Sequence, residues 1–382
     1  METWSAHQLY QNASKEHDDY TARALRAYAQ NLRAQGLPVI FTLGHLSKIT
    51  GVSYAMLKES VNRQREASNY RMYAVKKRSG GRRFIHSVST DLFRVQQFIN
   101  QFILQSRAPH SSSFAFHGSG GIRKCAEQHC EAKWLFQYDL KDFFYDVTEI
   151  DVFRIFQSMG YRNLLAFELA RLCTTTHLPK WQKRLLFHHG ESSGDGPVLP
   201  YHDRTGVIGV LPQGAPTSPM LSNLAARELD ELLQEYATEN GFTYTRYADD
   251  LTFSTAGLGR LSVTSVDRAI VHRIRKARFR ENEKKTRVAR PGSKKLVLGL
   301  LVDCGVPRIS KETYKKIDSH LHAVPIYGWE ATARHWGFDS AFGFFNHLSG
   351  WIAFIKDVDA LRWQDFVTRF AKLPVPSWYQ RE

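Results

Sequence analysis

Two aspartates stand side by side at Asp249 and Asp250, inside the run Phe242-Thr-Tyr-Thr-Arg-Tyr-Ala-Asp249-Asp250-Leu-Thr-Phe-Ser254. Alternation on both sides of Ala248-Asp249-Asp250 predicts a hairpin whose turn displays the two acids. Adjacent carboxylates repel one another, so the pair needs a counter-charge, and a divalent metal is the natural one. Alone, an Asp-Asp pair is ordinarily a solvated turn. Its company here includes Asp139, which ends Trp134-Leu-Phe-Gln-Tyr-Asp139, a period-two pattern that predicts a strand closing on a carboxylate. Three such acids can hold two Mg2+ ions about 3.5 to 4 Å apart, an arrangement that activates a 3′-hydroxyl and stabilises a leaving pyrophosphate.

Other segments must position these acids. Tyr70 to His86 reads as two short strands joined by Lys76-Lys77-Arg78-Ser79-Gly80-Gly81-Arg82-Arg83, either a solvated hairpin or, since so many cations on one tight turn call for an anion, the preferred reading of a phosphate-binding loop. Gln213-Gly-Ala-Pro-Thr-Ser-Pro219 is a turn-rich loop, followed by one long amphipathic helix from Leu221 through Leu229 and Leu233 to Tyr236, ended by Gly241. Upstream, Tyr20, Ala24, Leu25, Tyr28 and Leu32 predict a helix stopped by Gly36-Leu-Pro38. Leu43 to Arg65 predicts a helix, a turn at Thr50-Gly51 and a second helix. The stretch from His188 to Gly209 is read as a surface insertion. A densely basic stretch, Arg273 to Lys295, precedes the apolar run Leu296 to Val302.

Composition narrows the class of partner. The 382 residues carry 52 Lys+Arg against 37 Asp+Glu, a net charge of +15, together with 8 Trp, 16 Tyr and 24 Phe. This is a folded chain with room for more than one folding unit, and its cationic excess favours a polyanion. Aromatic wealth tilts that partner toward nucleic acid, because bases stack on rings. The four cysteines lack zinc-finger spacing and are read as free thiols. No apolar run approaches the roughly 20 residues that span a bilayer. The expectation is a soluble, cytoplasmic protein.

The order of motifs resembles that of reverse transcriptases, specifically the bacterial retron type. Tyr247-Ala-Asp-Asp250 resembles the Tyr-x-Asp-Asp box, and Tyr138-Asp-Leu-Lys-Asp-Phe-Phe144 the first catalytic aspartate motif. Leu211-Pro-Gln-Gly-Ala-Pro-Thr-Ser-Pro219 resembles the nucleotide-binding loop, Asn282-Glu-Lys-Lys-Thr286 the lysine motif, and Leu298-Gly-Leu300 the primer-grip hairpin. The resemblance runs from about Leu43 to about Asp359. Two retron features appear with one departure each: Cys125-Ala-Glu-Gln-His129 for Asn-Ala-x-x-His, and Val297-Leu298-Gly299 for Val-Thr-Gly. The opening Leu43-Gly-His-Leu-Ser-Lys-Ile-Thr-Gly51 and the closing His347-Leu-Ser-Gly-Trp-Ile352 also look retron-like.

The resemblance implies an α+β right-hand polymerase: an N-terminal helical extension over 1–66, fingers over 67–135, a palm over 136–305 and a helical thumb over 306–382. It implies that Asp139, Asp249 and Asp250, with the Leu140 carbonyl, hold two Mg2+ ions. Lys285 is implied as the general acid for pyrophosphate or as a contact to the nucleic-acid backbone, and Lys141 with Asp142 as a local ion pair. Lys77, Arg82 and Arg83 would meet the triphosphate, the two arginines being undistinguished. Gln213, Gly214 and Tyr247 would line the incoming dNTP, and Phe144 would exclude a ribose 2′-hydroxyl. Leu298, Gly299 and Leu300 would grip the primer, and Lys311, Lys315 and Lys316 would bind RNA.

Partners implied are a cognate structured noncoding RNA, its RNA-linked DNA product, dNTPs and an effector protein encoded nearby, in anti-phage defence and with no membrane. Two other classes stay open at this stage. One is a protein-primed or untemplated polymerase; the other is a catalytically idle RNA-binding scaffold.

Overall fold

The computed structural model describes residues 5–76, 82–180, 182, 207–376 and 378. Helices open the chain. α1 (Ala6–Glu16) packs on α2 (Asp19–Ala34), which starts where the Asp18 carboxylate accepts the Thr21 amide at 2.8 Å. Its face of Ala22, Tyr28, Ala29 and Leu32 is buried, and it stops before Gly36, whose φ of 70° needs no side-chain accommodation. α1 gave no sequence signal because Ala13 is its one buried residue. α3 (Leu43–Thr50) and α4 (Tyr54–Val61) follow with the expected turn between them, where Gly51 adopts a left-handed φ of 67°.

After α5 (Glu66–Asn69), β1 (Tyr70–Lys76) and β2 (Arg82–Val88) pair antiparallel in the register Tyr70 to Val88 and Lys76 to Arg82. The predicted cationic turn, with Lys77, lies outside the described residues. α6 (Thr90–Ile99) runs into a π-helical turn at Asn100–Leu104, and α7 (Ile122–Glu127) leads to the main sheet.

That sheet orders β4 (Thr243–Tyr247), β5 (Asp250–Thr255), β3 (Trp134–Asp139) and β6 (Arg287–Ala289) side by side, each neighbouring pair antiparallel. Helices α8 (Glu149–Ser158), α9 (Asn163–Cys173), α10 (Ser218–Ala225), α11 (Arg227–Glu239) and α12 (Val263–Lys276) accompany it. The long helix expected after Pro219 is in fact two, α10 and α11. The break falls at Ala226, whose φ of −80° and ψ of 8° interrupt the helical path while its amide still reaches the Ser222 carbonyl.

The sheet divides two cores. Phe136 and Tyr138 join the large core with Phe253, Leu229 and Ile270, while Leu135 joins a second core with Val297, Ile317, Phe344 and Phe366. Period-two reading assigned Trp134, Phe136 and Tyr138 to the apolar face; Leu135 is equally buried because β3 is covered on both sides. The second core belongs to the short hairpin β7 (Leu296–Val297) and β8 (Leu300–Leu301) and to the helices α13 (Lys311–His335), α14 (Ala341–Ile355) and α15 (Ala360–Ala371). α13 carries Pro325 and kinks at Gly328, where φ is 76° and ψ 170°. This is the arrangement expected of fingers, palm and helical thumb. Among the described residues no helix is long and apolar enough to cross a membrane.

Candidate active site

The hairpin of β4 and β5 closes through Ala248 and Asp249 alone, with Tyr247 paired to Asp250. Asp250 is therefore the first residue of a strand, a correction to the expectation that both acids sit in the turn. Ala248 takes a left-handed φ of 57°, as a two-residue hairpin turn demands. On the other flank of β5, Asp139 lies directly opposite Asp250. The Leu140 amide donates to the Asp249 carbonyl at 2.9 Å, so the end of β3 is stitched to the turn between β4 and β5. All three acids thus share one edge of the sheet.

Two side chains to which the sequence assigned no structural role hold this turn. Arg246, wholly buried on β4, forms a two-pronged ion pair with buried Asp230 of α11, at 2.7 and 2.6 Å. Its remaining nitrogen donates to the side-chain Oδ1 of Asn223 (3.0 Å) and to the backbone carbonyl of Ala248 (3.2 Å). A lone charge in the short strand Thr-Tyr-Thr-Arg-Tyr, beside Tyr247, was the available signal. His129 is the other. Its two ring nitrogens hydrogen-bond Thr245 on β4 and Ser254 on β5, each at 2.7 Å, and the Cys125 thiol donates to the same Thr245 hydroxyl at 3.3 Å. The segment Cys125 to His129 is thus an internal strut beneath the acids, and burial drives the His129 imidazole down to about 3.

Asp139 is nearly enclosed and already partnered. The Lys285 ammonium contacts one carboxylate oxygen, and the Asn282 side chain donates to the other at 3.0 Å while its backbone amide takes the Asp139 carbonyl at 2.7 Å. Burial and the Asp139 charge raise the Asp249 carboxyl, opposed by Lys285 and by Arg83. Asp250 faces solvent on one side, yet desolvation by the sheet behind it and the charges of Asp249 and Asp139 push its carboxyl up to about 6. Asp142 lies 4.0 Å from Arg280, and Asp146 pairs with that same guanidinium at 2.6 Å, so the expected Lys141–Asp142 pair is replaced by Arg280 contacts.

Among the described residues no three ligating side chains are gathered into a metal cage. The backbone brings Asp139, Asp249 and Asp250 together, and the ammonium of Lys285 forms an ion pair with Asp139. The donor set fits a hard divalent cation: carboxylate and carbonyl oxygens only, with the Asp249 and Asp250 carboxyls raised by burial and then by mutual repulsion, which a cation would relieve.

The loop from Gly209 to Gly214 forms a wall fastened at several points. Val210 exchanges both backbone hydrogen bonds with Thr175, Leu211 donates to the Val147 carbonyl, and the Gln213 carbonyl accepts the His86 amide of β2 at 2.7 Å. Gly214 has φ 111°, and a Cβ there would lie 2.7 Å from the His86 carbonyl, so only glycine allows this approach. Glu149 anchors the loop by accepting the Gly209 amide, and it binds Arg63 and Arg171, which hold its carboxyl down at about 2 against the burial that opposes them. Arg63 comes from the N-terminal helical region, so that layer braces the loop. Phe144 is half-buried and touches the rings of both Phe143 and Phe116. Tyr247 is half-buried beside the turn.

Leu298 (φ 50°) and Gly299 (φ 87°) make the turn between β7 and Leu300 of β8, and Gln137 of β3 donates to the Leu296 carbonyl at 3.0 Å, tying that hairpin to the strand of Asp139. Lys311, Lys315 and Lys316 are exposed on α13.

Comparison with known proteins decides what this geometry belongs to. The family described as "Reverse transcriptase (RNA-dependent DNA polymerase)" matches residues 75–315. The chain is 32% identical over 362 residues to the Retron Mx65 reverse transcriptase of Myxococcus xanthus, covering 93% of this chain and 77% of that one. The chain belongs to the reverse transcriptases, retron type. It is also 29% identical over 344 residues to the Retron Ec86 reverse transcriptase of Escherichia coli, covering 90% of this chain and 92% of that one. A third relative, the Retron Ec73 reverse transcriptase of Escherichia coli, is 28% identical over 293 residues, covering 75% of this chain and 82% of that one. This reverse transcriptase is an RNA-directed DNA polymerase with a right-hand fold, and the edge shared by Asp139, Asp249 and Asp250 lies within the family match.

Proposed function

We propose that this reverse transcriptase copies part of a cognate structured noncoding RNA into RNA-linked, multicopy single-stranded DNA, primed from an RNA 2′-hydroxyl, and that it works with a nearby-encoded effector in anti-phage defence. The observation that carries the polymerase chemistry is the cross-strand pairing of Asp139 with Asp250, with Asp249 fixed beside them through Leu140. The retron product is supported by relatives that are themselves named retron reverse transcriptases over most of their length.

In this reading Asp139, Asp249, Asp250 and the Leu140 carbonyl hold two Mg2+ ions, which when bound would lower the pKa of the attacking hydroxyl and neutralise charge on the phosphates. Arg83, whose charge already reaches Asp249, meets the triphosphate together with Arg82 and Lys77. Gln213 and Gly214 line the nucleotide on the wall fastened to β2. Phe144 stands where a 2′-hydroxyl would project. Lys285, at the edge of Asp139, supplies the proton for the departing pyrophosphate. The turn of Leu298 and Gly299 with Leu300 supports the primer end, and Lys311, Lys315 and Lys316 contact RNA.

The test is to purify the protein from its native gene context and sequence the nucleic acid that accompanies it, after separate RNase and DNase digestion. The wild type should carry a discrete DNA joined to RNA, and the variant Asp249→Asn with Asp250→Asn should carry RNA alone. DNA attached to the protein would favour a protein-primed polymerase, and identical RNA with no DNA in both samples would favour a scaffold.

A further inference from the structure

An unused feature of the site is the loop from Ser112 to Gly121. It lies along β4 immediately before the catalytic turn: the Arg246 amide donates to the Ser112 carbonyl at 2.7 Å, and the Phe114 amide donates to the Arg246 carbonyl at 2.8 Å. Asn223 donates to the Ala115 carbonyl at 2.7 Å, His117 bonds the Ser113 carbonyl at 2.8 Å, and the Gly121 amide closes on Phe114 at 2.8 Å. Gly120 approaches so closely that a Cβ would meet the Phe114 carbonyl at 2.1 Å. Such a loop has little freedom.

At its crest Phe116 has a φ of 70°, and its ring is 37% exposed. A bulky L-residue in the left-handed region costs free energy, and an exposed ring recovers little of it by burial. Folding alone gives no reason for phenylalanine here. The ring is aimed instead at Phe144, with centroids 6.4 Å apart and planes tilted by 43°. Phe143 also meets Phe144, at 5.6 Å, so the Phe144 ring has two aromatic neighbours.

We propose that Phe116 is a specificity-determining residue of this reverse transcriptase, forming with Phe144 a two-ring wall that rejects the 2′-hydroxyl of a ribonucleotide. This rests on the reading of Phe144 as the sugar gate and deepens it. A single half-buried ring can yield to a hydroxyl by rotating, whereas a ring in contact with both Phe143 and Phe116 has less room to do so. Phe116 is held by a loop that is itself fastened to Arg246, so the brace is tied to the strand that carries the catalytic turn.

The experiment compares incorporation of dNTPs and rNTPs on a primed RNA template with Mg2+, in the full chain, for wild type, Phe116→Asn, Phe116→Tyr and Phe144→Ala, alongside thermal unfolding. Asparagine tolerates the left-handed region, so Phe116→Asn should unfold no lower than wild type. Its preference for dNTPs over rNTPs, taken as the ratio of kcat/KM values, should nonetheless fall by roughly tenfold or more. Phe116→Tyr should restore that preference. If Phe144→Ala loses selectivity while Phe116→Asn keeps it, the two-ring wall is overturned and the gate reading stands. If Phe144→Ala also keeps full selectivity, the gate reading falls and takes the wall with it. Equal loss of dNTP and rNTP turnover in Phe116→Asn, in step with a lower unfolding midpoint, would make the residue structural and overturn the proposal.

Discussion

Arg246 and Asp230 form an ion pair with no exposed side-chain surface on either partner, and the guanidinium that makes it also donates to the carbonyl of Ala248 in the catalytic turn. One side chain thus links a helix of the palm to the backbone from which Asp249 projects. Breaking a buried pair leaves an uncompensated charge. Arg246→Met should therefore destabilise the protein by about 3 to 5 kcal/mol. Replacing both partners, Arg246→Met with Asp230→Leu, should recover much of that stability in urea unfolding while DNA synthesis stays slow, because the Ala248 carbonyl still lacks its donor. Full recovery of activity in the double variant would show that the pair acts only on stability.

The buried imidazole of His129 makes the fold sensitive to acid. Its pKa falls from 6.5 in the unfolded chain to about 3 in the folded protein. The unfolded state therefore binds the extra proton below about 6.5, and stability that is complete above that pH is lost as the pH falls toward 3. At pH 5 the expected loss is about 2 kcal/mol relative to pH 7. Urea unfolding at a series of pH values should show this slope, and a His129→Gln variant should show a shallower one.

Gly214→Ala places a methyl group 2.7 Å from the His86 carbonyl at a backbone φ of 111°. The Gln213 wall must then move off β2. The expected result is a rise in dNTP KM of about tenfold or more, with RNA affinity unchanged. Steady-state kinetics with a filter-binding control separates the two.

Salt should weaken RNA binding steeply, given the net charge of +15. If Lys315 and Lys316 contact RNA phosphates, their joint replacement by alanine should make the plot of log affinity against log salt shallower by about 0.7 to 0.9 per lost contact. An unchanged slope would place the phosphate contacts elsewhere on the chain.

The acids, the hairpin around them and the strand of Asp139 were legible because each combines a local period with an unusual residue at its end. The pairing Asp139 to Asp250 could be expected but not its register, which is set by β3 lying between β5 and β6. The break at Ala226 was hidden, since alanine is a strong helix former and nothing local announces a stop. The roles of Arg246, Asp230 and His129 were hidden for a different reason: their partners lie 16, 16 and 116 to 125 residues away, and a buried polar group looks like a surface one until its partner is placed. The single departure at Cys125 likewise reads differently once folded, because its thiol turns inward onto Thr245.

Leu135 and Phe136 are consecutive residues of β3, yet each is buried in a different core. The frontier between palm and thumb consequently runs through the plane of one strand, and no peptide bond can be cut to separate the two bodies cleanly. A fragment ending before α13 would present the Leu135 face to water, and an isolated set of thumb helices would lose its floor. The polymerase should melt as one cooperative unit. Any tilt of the helices against a bound duplex presses on the same strand that ends at Asp139.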